Sequence, residues 1–444
     1  MIVDLIILIC FVILGTLAGA LLSLIPSLHI YNTAGIALII WIQAGQFIPF
    51  DMIAPFFLSL LTSFTFISAI PMTLIGAPDE SATATILPNT KYLMTGRGYE
   101  AVVISGIGSL MGIIILAGLS PVMFKIVPLT HRILAPHLHW IIMAVIAYML
   151  MSEWPKGEGI GETSIQRLLH AWGNLFAGLL TFILAGLLGL FLTSRPLIGP
   201  EAGFQNLMPV FIGLFAIPGA IQHLLSRQNI PNQFIPRTVE ITSKDVAVSG
   251  LQGTIAGGLA AYLPAVTAGI GSIIAGHTVA RRGDRLFIIS GGVAKVLYYI
   301  GAFLLLYLIT PLTPGGIGRG GLAIILKPVL NPLPRELLLM IGIVVFTACI
   351  SFLFLLTASR WMISWLKRFH YHALYWSSLA LLTVLVFWIT GWEGFLVMLV
   401  ATCIGLIPVF YHCRRSNCMA VLLLPIALNM AGHSSSVLRF FQLE

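Results

Sequence analysis

Eight uninterrupted apolar stretches decide what this chain can fold into; they lie near 3–25, 52–75, 101–123, 174–193, 286–309, 337–358, 373–390 and 394–411. Crossing about 30 Å of hydrocarbon takes roughly 20 helical residues, and each stretch is close to that length. A membrane strand alternates in polarity, whereas these runs are apolar on every face, so the spanning elements are helices with their backbone bonds satisfied internally. Shorter or weaker candidates lie near 30–48, 138–151, 204–224, 246–276 and 416–432. Together they predict an all-α, polytopic transmembrane helix bundle of about ten to thirteen segments. Composition agrees: of 444 residues, 58% are hydrophobic and only 9% charged, with a mean hydropathy of +1.01, more apolar surface than a water-soluble core can hide.

The first apolar run follows Met1-Ile2-Val3-Asp4 with no basic residue ahead of it, and it exceeds a signal-peptide core in length, so it reads as a retained membrane helix. The five cysteines (Cys10, Cys349, Cys403, Cys413, Cys418) sit in or beside apolar runs without C-x-x-C spacing and read as small apolar residues. The formal charge of +8 comes from basic residues scattered through short loops, which the positive-inside rule explains better than nucleic-acid binding. Arg414 and Arg415, then Arg360, Lys367 and Arg368, then the cluster Arg281-Arg282-Gly283-Asp284-Arg285 mark cytoplasmic loops in alternation. The 313–335 stretch falls outside, and its Gly and Pro content suggests partial re-entry.

Residues 15–26 (Gly-Thr-Leu-Ala-Gly-Ala-Leu-Leu-Ser-Leu-Ile-Pro) match residues 253–264 (Gly-Thr-Ile-Ala-Gly-Gly-Leu-Ala-Ala-Tyr-Leu-Pro) at six of twelve positions. At the same 238-residue offset, the run at 52–75 falls on 286–312, that at 101–123 on 337–358, and that at 138–151 on 373–390. The chain therefore reads as a first transmembrane repeat over 1–206, a connecting segment over 207–238 and a second repeat over 239–444. The basic cluster at 281–285 corresponds to the uncharged Ile42 to Gln46, which favours two inverted structural repeats, each with a broken or re-entrant helix.

Proline removes a backbone donor and clashes with the preceding turn, so Pro26 and Pro264 are expected to break their helices near mid-membrane. Broken backbone at that depth must be covered by protein or line a cavity. Freed amides at a half-helix start can hold an anion and freed carbonyls a cation. Substrate-binding candidates are Ser27, Asn32, Thr33, Ala265, Thr267 and Ser272 around the two breaks, with Ser290 and Lys295. The alternative for the breaks is a pair of packing kinks. Lys295 lies well inside the run 286–312, where an isolated charge costs at least about 2.5–3.5 kcal/mol. It should face a cavity or a partner carboxylate, unless it snorkels to an interface. His29 and His277 flank the breaks and read as structural.

The segment from Gly76 to Thr90 is too apolar for a solvated loop and too polar for a span. Its Asp79, Glu80, Thr83 and Thr85 are candidates for ion coupling, with Na⁺ or H⁺ as the coupling ion, or for organising the loop. Pro-Asp-Glu is equally a good helix start. The counterpart, Thr313 to Gly321, replaces the carboxylates with glycines and Arg319. No metal-binding or catalytic constellation stands out, and no organic cofactor is expected.

These motifs resemble those of the large membrane subunit of the tripartite tricarboxylate transporters, the TctA-like permeases, in the divergent branch typical of archaeal genomes. The glycine-rich stretches Gly15 to Thr33 and Gly253 to Ser272 resemble the family's proline-ended broken helices, and Gly76 to Ala101 resembles its second motif, closed by Gly96-Arg97-Gly98-Tyr99-Glu100-Ala101. The resemblance implies secondary uptake of a small carboxylate on an ion gradient, in the plasma membrane of a prokaryote, with a small membrane subunit and a soluble substrate-binding protein as partners. Membrane lipids, a small anionic solute and a second copy in a homodimer complete the expected partners. The chain departs from the pattern where a glycine commonly follows the motif proline, carrying Ser27 and Ala265, and in placing Asp79-Glu80 where relatives are small or hydroxylic.

No Walker loop, H-E-x-x-H or G-x-S-x-G appears, and Gly157 to Gly161 lacks the strand-and-helix setting of a nucleotide fingerprint. An ion-gradient-driven permease is therefore the leading expectation. The alternative is a carrier of a lipid phosphate such as a polyprenyl phosphate, since half-helix starts can hold a phosphate head. An intramembrane enzyme would need an acid and base at one depth, for which Asp79, Glu80 and His29 are the candidates near the first break.

Overall fold

The computed structural model describes residues 2–26, 28–44, 49–76, 85–155, 157, 161–197, 206–225, 230–275, 283–308, 323, 326–327, 329–330, 332–368, 371–440 and 442. Every regular element among them is helical. In chain order these are α1 (Ile2–Ser23), α2 (Ile30–Gln43), α3 (Ile53–Ile67), α4 (Ala69–Leu74), α5 (Ile86–Met94), α6 (Gly98–Leu134), α7 (Leu138–Met151) and α8 (Ser164–Ser194). There follow α9 (Met208–Leu225), α10 (Ser243–Tyr262), α11 (Ala268–Ala275), α12 (Asp284–Tyr307), α13 (Leu337–Leu366), α14 (Tyr371–Phe410), α15 (Ala420–Met430) and α16 (Ser434–Phe440). Nine helical stretches among the described residues are long and apolar enough to cross a membrane, or ten if α15 with its preceding turn and α16, bent by 116°, form one span.

One of those stretches contains a reversal. Within α14, Gly391 has φ 65° and ψ −159°, outside helical space, so two helices meet there. Leu382 and Val386 before it share one apolar cluster with Met398 after it, all packed on Met208, Ile212 and Ile217 of α9. That grouping fits two spans folded back on each other, as the separate runs at 373–390 and 394–411 predict.

The chain divides into two compact units: Met1–Arg132 with Arg227–Ser378, and Ile133–Ser226 with Leu379–Glu444. Each therefore draws on both halves of the sequence.

In the first unit, glycines let helices approach to backbone contact. A Cβ on Gly15 would lie 2.3 Å from the Phe56 carbonyl oxygen and one on Gly19 2.2 Å from that of Leu60, so only glycine allows α1 to lie on α3 this closely. The matching Gly253 and Gly257 of α10 meet the Ser290 and Ala294 carbonyls of α12 at 2.5 and 2.6 Å in the same sense. The repeated glycine motif is thus one packing device used twice, with the second copy shifted by a helical turn. Both contacts run parallel, α1 with α3 and α10 with α12.

Each proline follows a long helix. α1 has 22 residues and α10 has 20 before their prolines, about 30 Å or more of helix each. The prolines therefore end long helices, of which α1 is apolar enough to cross a membrane, and the chain turns back after each. Gly271 of α11 packs on the Ala256 carbonyl of α10, and Gln252 Nε2 donates to the Ala275 carbonyl, which folds 243–275 into a hairpin about the proline.

In the second unit, α8 packs on α15, with Gly189 against the Val421 carbonyl. The buried Glu153 just after α7 accepts from the Arg414 backbone N–H (2.7 Å) and from Asn417 Nδ2 (3.2 Å), pinning the turn that leads into α15.

Candidate functional site

Two ends of the first unit carry opposite charge. At one, Arg97 donates twice to Glu100 (2.8 and 2.7 Å), Arg285 reaches the same carboxylate at 3.3 Å and also donates to the Glu240 carbonyl (2.7 Å), Lys91 pairs with Asp284, and Arg360 donates to Tyr99. The hydrogen bond to Asp284 raises the Lys91 pKa and that to Glu100 raises the Arg97 pKa. Gln233 closes this basic end by accepting from the Gly98 N–H and donating to the Leu93 carbonyl. At the other end Asp4, Asp51, Tyr307 and Glu336 line one cavity. α12 joins the two, Arg285 at its start and Tyr307 at its finish.

Between these ends lies the buried polar core. Lys295 is 6% exposed and eleven residues into α12, about 16 Å from its start. Its Nζ donates to Ser68 Oγ at 2.7 Å. Ser68 stands at the join of α3 and α4. Directly after Lys295, α12 widens into a π-helical turn over Leu297–Gly301, an irregularity that concentrates at functional sites.

The halves also meet at Thr85, whose methyl group lies where a Cβ on Gly291 would come within 2.6 Å. Ser290, beside it, donates to its own helix through the Phe287 carbonyl. One turn along α5 from Thr85, Asn89 is 2% exposed and neither its Oδ1 nor its Nδ2 has a hydrogen-bond partner. Nothing in the sequence singles out Asn89, since its burial depends on how its surroundings pack.

Around the first break, the Asn32 and Thr33 N–H groups both donate to the His29 carbonyl, starting α2, while the Asn32 Nδ2 and Thr33 hydroxyl are buried without partners. Around the second, Thr267 Oγ1 accepts from the Ile270 N–H at 3.4 Å and serves as the cap of α11, and Ser272 is buried on the same short helix. Ala265 has φ 59°, the left-handed region in which glycine is at ease. Further unpartnered buried hydroxyls belong to Ser63, Thr73, Ser249, Thr347 and Ser351. Among the residues with buried, unpartnered side-chain atoms, all but Asn417 lie in the first unit.

Two candidates each touch the other half, Lys295 at Ser68 and Thr85 at Gly291, neither of these partners being a candidate itself; the prolines act at their own turns. Ser27, Asp79, Glu80, Thr83 and His277 lie outside the described residues. No group of three or more metal-ligating side chains occurs among the described residues.

A family model described as the tripartite tricarboxylate transporter TctA family matches residues 9–420. An uncharacterized protein of Methanocaldococcus jannaschii is 24% identical over 434 residues, covering 94% of this chain and 98% of its own length. No solved structure matches the chain.

Proposed function

Because the chain belongs to the tripartite tricarboxylate transporter TctA family, we propose that it is an ion-gradient-driven permease for a small anionic solute, a carboxylate, received at the Lys295 amine. Family membership makes it a multi-pass membrane transporter of a prokaryotic plasma membrane rather than an enzyme. The observation that carries the finer reading is the burial of Lys295: a buried amine on a hydroxyl, eleven residues into a helix long and apolar enough to cross a membrane, supplies what a carboxylate needs in a low-dielectric path.

The unpartnered buried groups support the same reading. Buried polar groups are normally hydrogen-bonded, and leaving one unmade costs about 1–3 kcal/mol. Asn89, Asn32, Thr33, Ser63 and Thr347 are therefore understood as lining a route that a polar solute enters.

In this account the repeats are inverted. α1 starts at the acidic end, where Asp4 lines a cavity with Tyr307, and α10 starts at the basic end, where Arg285 holds Glu240 just before it. With the basic end cytoplasmic, matching helices enter from opposite faces. Asp79 and Glu80 remain the proposed coupling groups for Na⁺ or H⁺, and a small membrane subunit and a soluble binding protein the proposed partners. The test is reconstitution: liposomes holding the protein, with those partners where they exist, should exchange labelled carboxylate across the membrane. Absence of exchange across a panel of mono-, di- and tricarboxylates would count against the reading.

A further inference from the structure

The acidic end holds a feature that carboxylate transport does not use: a cavity of about 610 Å³ whose lining includes Asp4, Asp51, Glu336 and Tyr307, with Leu8 and Leu339 among its walls. Its volume is within the range of small-molecule sites, about 300–1,000 Å³. The carboxylates have a structural reason to be there, since each stands at the start of a helix. That reason does not account for Tyr307. It is 1% exposed, lines the cavity, and its hydroxyl has no hydrogen-bond partner among the described residues. Asp51 is likewise without a hydrogen bond or ion pair among the described residues, and Glu336 uses one oxygen on the Leu333 N–H.

The charge balance fixes the class of ligand. The described lining carries Asp51 and Glu336 and no basic side chain, and the N-termini of α3 and α13, at about +0.5 each, offset only about half of those two carboxylates. The mouth stays negative, and the C-terminal end of α12 adds to it. A small hydrated metal ion needs six or more oxygens, and this lining is mostly apolar. Leu339 is half exposed, so the wall continues onto the lipid-facing surface. A ligand that suits both parts has a cationic head and an apolar body.

We propose that this cavity is a binding site for an alkylammonium ligand, its N–H groups on Asp51, Glu336 and the Tyr307 oxygen and its chain along Leu8 and Leu339. The site stands apart from Lys295 and does not depend on the transport reading. Its chemistry is shared by an aminolipid headgroup and a free amphiphilic amine.

The test measures binding of n-decylamine to the purified full-length protein in nanodiscs, with n-decanol as the uncharged match. Saturable decylamine binding should weaken at least tenfold in the double variant Asp51→Asn, Glu336→Gln and severalfold in Tyr307→Phe, with decanol uptake unchanged. Tyr307→Phe, which removes a single oxygen, carries the test if the double variant does not fold. Decylamine binding equal to that of decanol in the unaltered protein, or unchanged in the variants, overturns the proposal. Displacement of decylamine by aminophospholipid added to the discs assigns the site to a lipid; persistence of binding assigns it to a free amine.

Discussion

Lys295 of the second half donates to Ser68 of the first at 2.7 Å, deep in a core where both side chains are buried. The serine is the amine's local anchor. Ser68→Ala removes an acceptor from a charged donor, an interaction worth about 1.5–3 kcal/mol, and should leave the protein folded while changing the half-saturating carboxylate concentration severalfold. Carboxylate exchange by Ser68→Ala in liposomes, compared with Ser68→Thr, checks this. Equal behaviour of Ala, Thr and Ser would separate Lys295 from solute binding.

Asn89 predicts an exchange of function for stability. Its amide is buried with neither polar atom satisfied, so Asn89→Leu should raise the unfolding free energy by on the order of 1 kcal/mol and abolish transport. Thermal unfolding in detergent beside an uptake assay reads both. A destabilised, active Asn89→Leu protein would show that the amide neither lines the route nor burdens the fold.

Ala265 occupies the left-handed backbone region at φ 59°. A residue with a Cβ pays about 1–2 kcal/mol there, partly offset by the greater unfolded-state freedom of glycine. Ala265→Gly should therefore stabilise by up to about 1 kcal/mol, and Ala265→Val, β-branched at positive φ, should destabilise. Unfolding midpoints of the two variants, expected to move in opposite directions, check the geometry of the turn.

Opposite entry of α1 and α10 predicts opposite accessibility. In a background free of the five cysteines, Asp51→Cys should react with an impermeant thiol reagent from outside intact cells, and Glu240→Cys only after the membrane is opened. Labelling of both from one side would remove the inversion.

Much of this was legible in the sequence because hydrophobic length and proline are local signals. The apolar runs, the turn after Pro264 and the burial of Lys295 all follow from spacing alone. The reversal at Gly391 was legible too, from the split between two runs. What spacing could not give was partnership. The glycines of residues 15–19 and 253–257 were open to a packing role from the sequence, which did not say which helices they join, α1 onto α3 and α10 onto α12. Glu100 gave no sign that it holds two arginines, because Arg285 is remote in sequence. Glu153 anchors the turn before α15 through Arg414 and Asn417, which are also remote in sequence. Asn89 was missed for a different reason: an unsatisfied buried amide is visible only once its surroundings are packed.

The central claim, that the Lys295 amine receives the anion during ion-driven uptake, is tested most directly by gradient-driven accumulation of labelled carboxylate in liposomes. Lys295→Met keeps the length of the side chain and removes the amine that donates to Ser68, and thermal unfolding measured beside uptake separates loss of the anion site from loss of the fold. The account predicts accumulation only with the gradient imposed, and a loss of at least tenfold in Lys295→Met. Accumulation by Lys295→Met equal to that of the unaltered protein would contradict it.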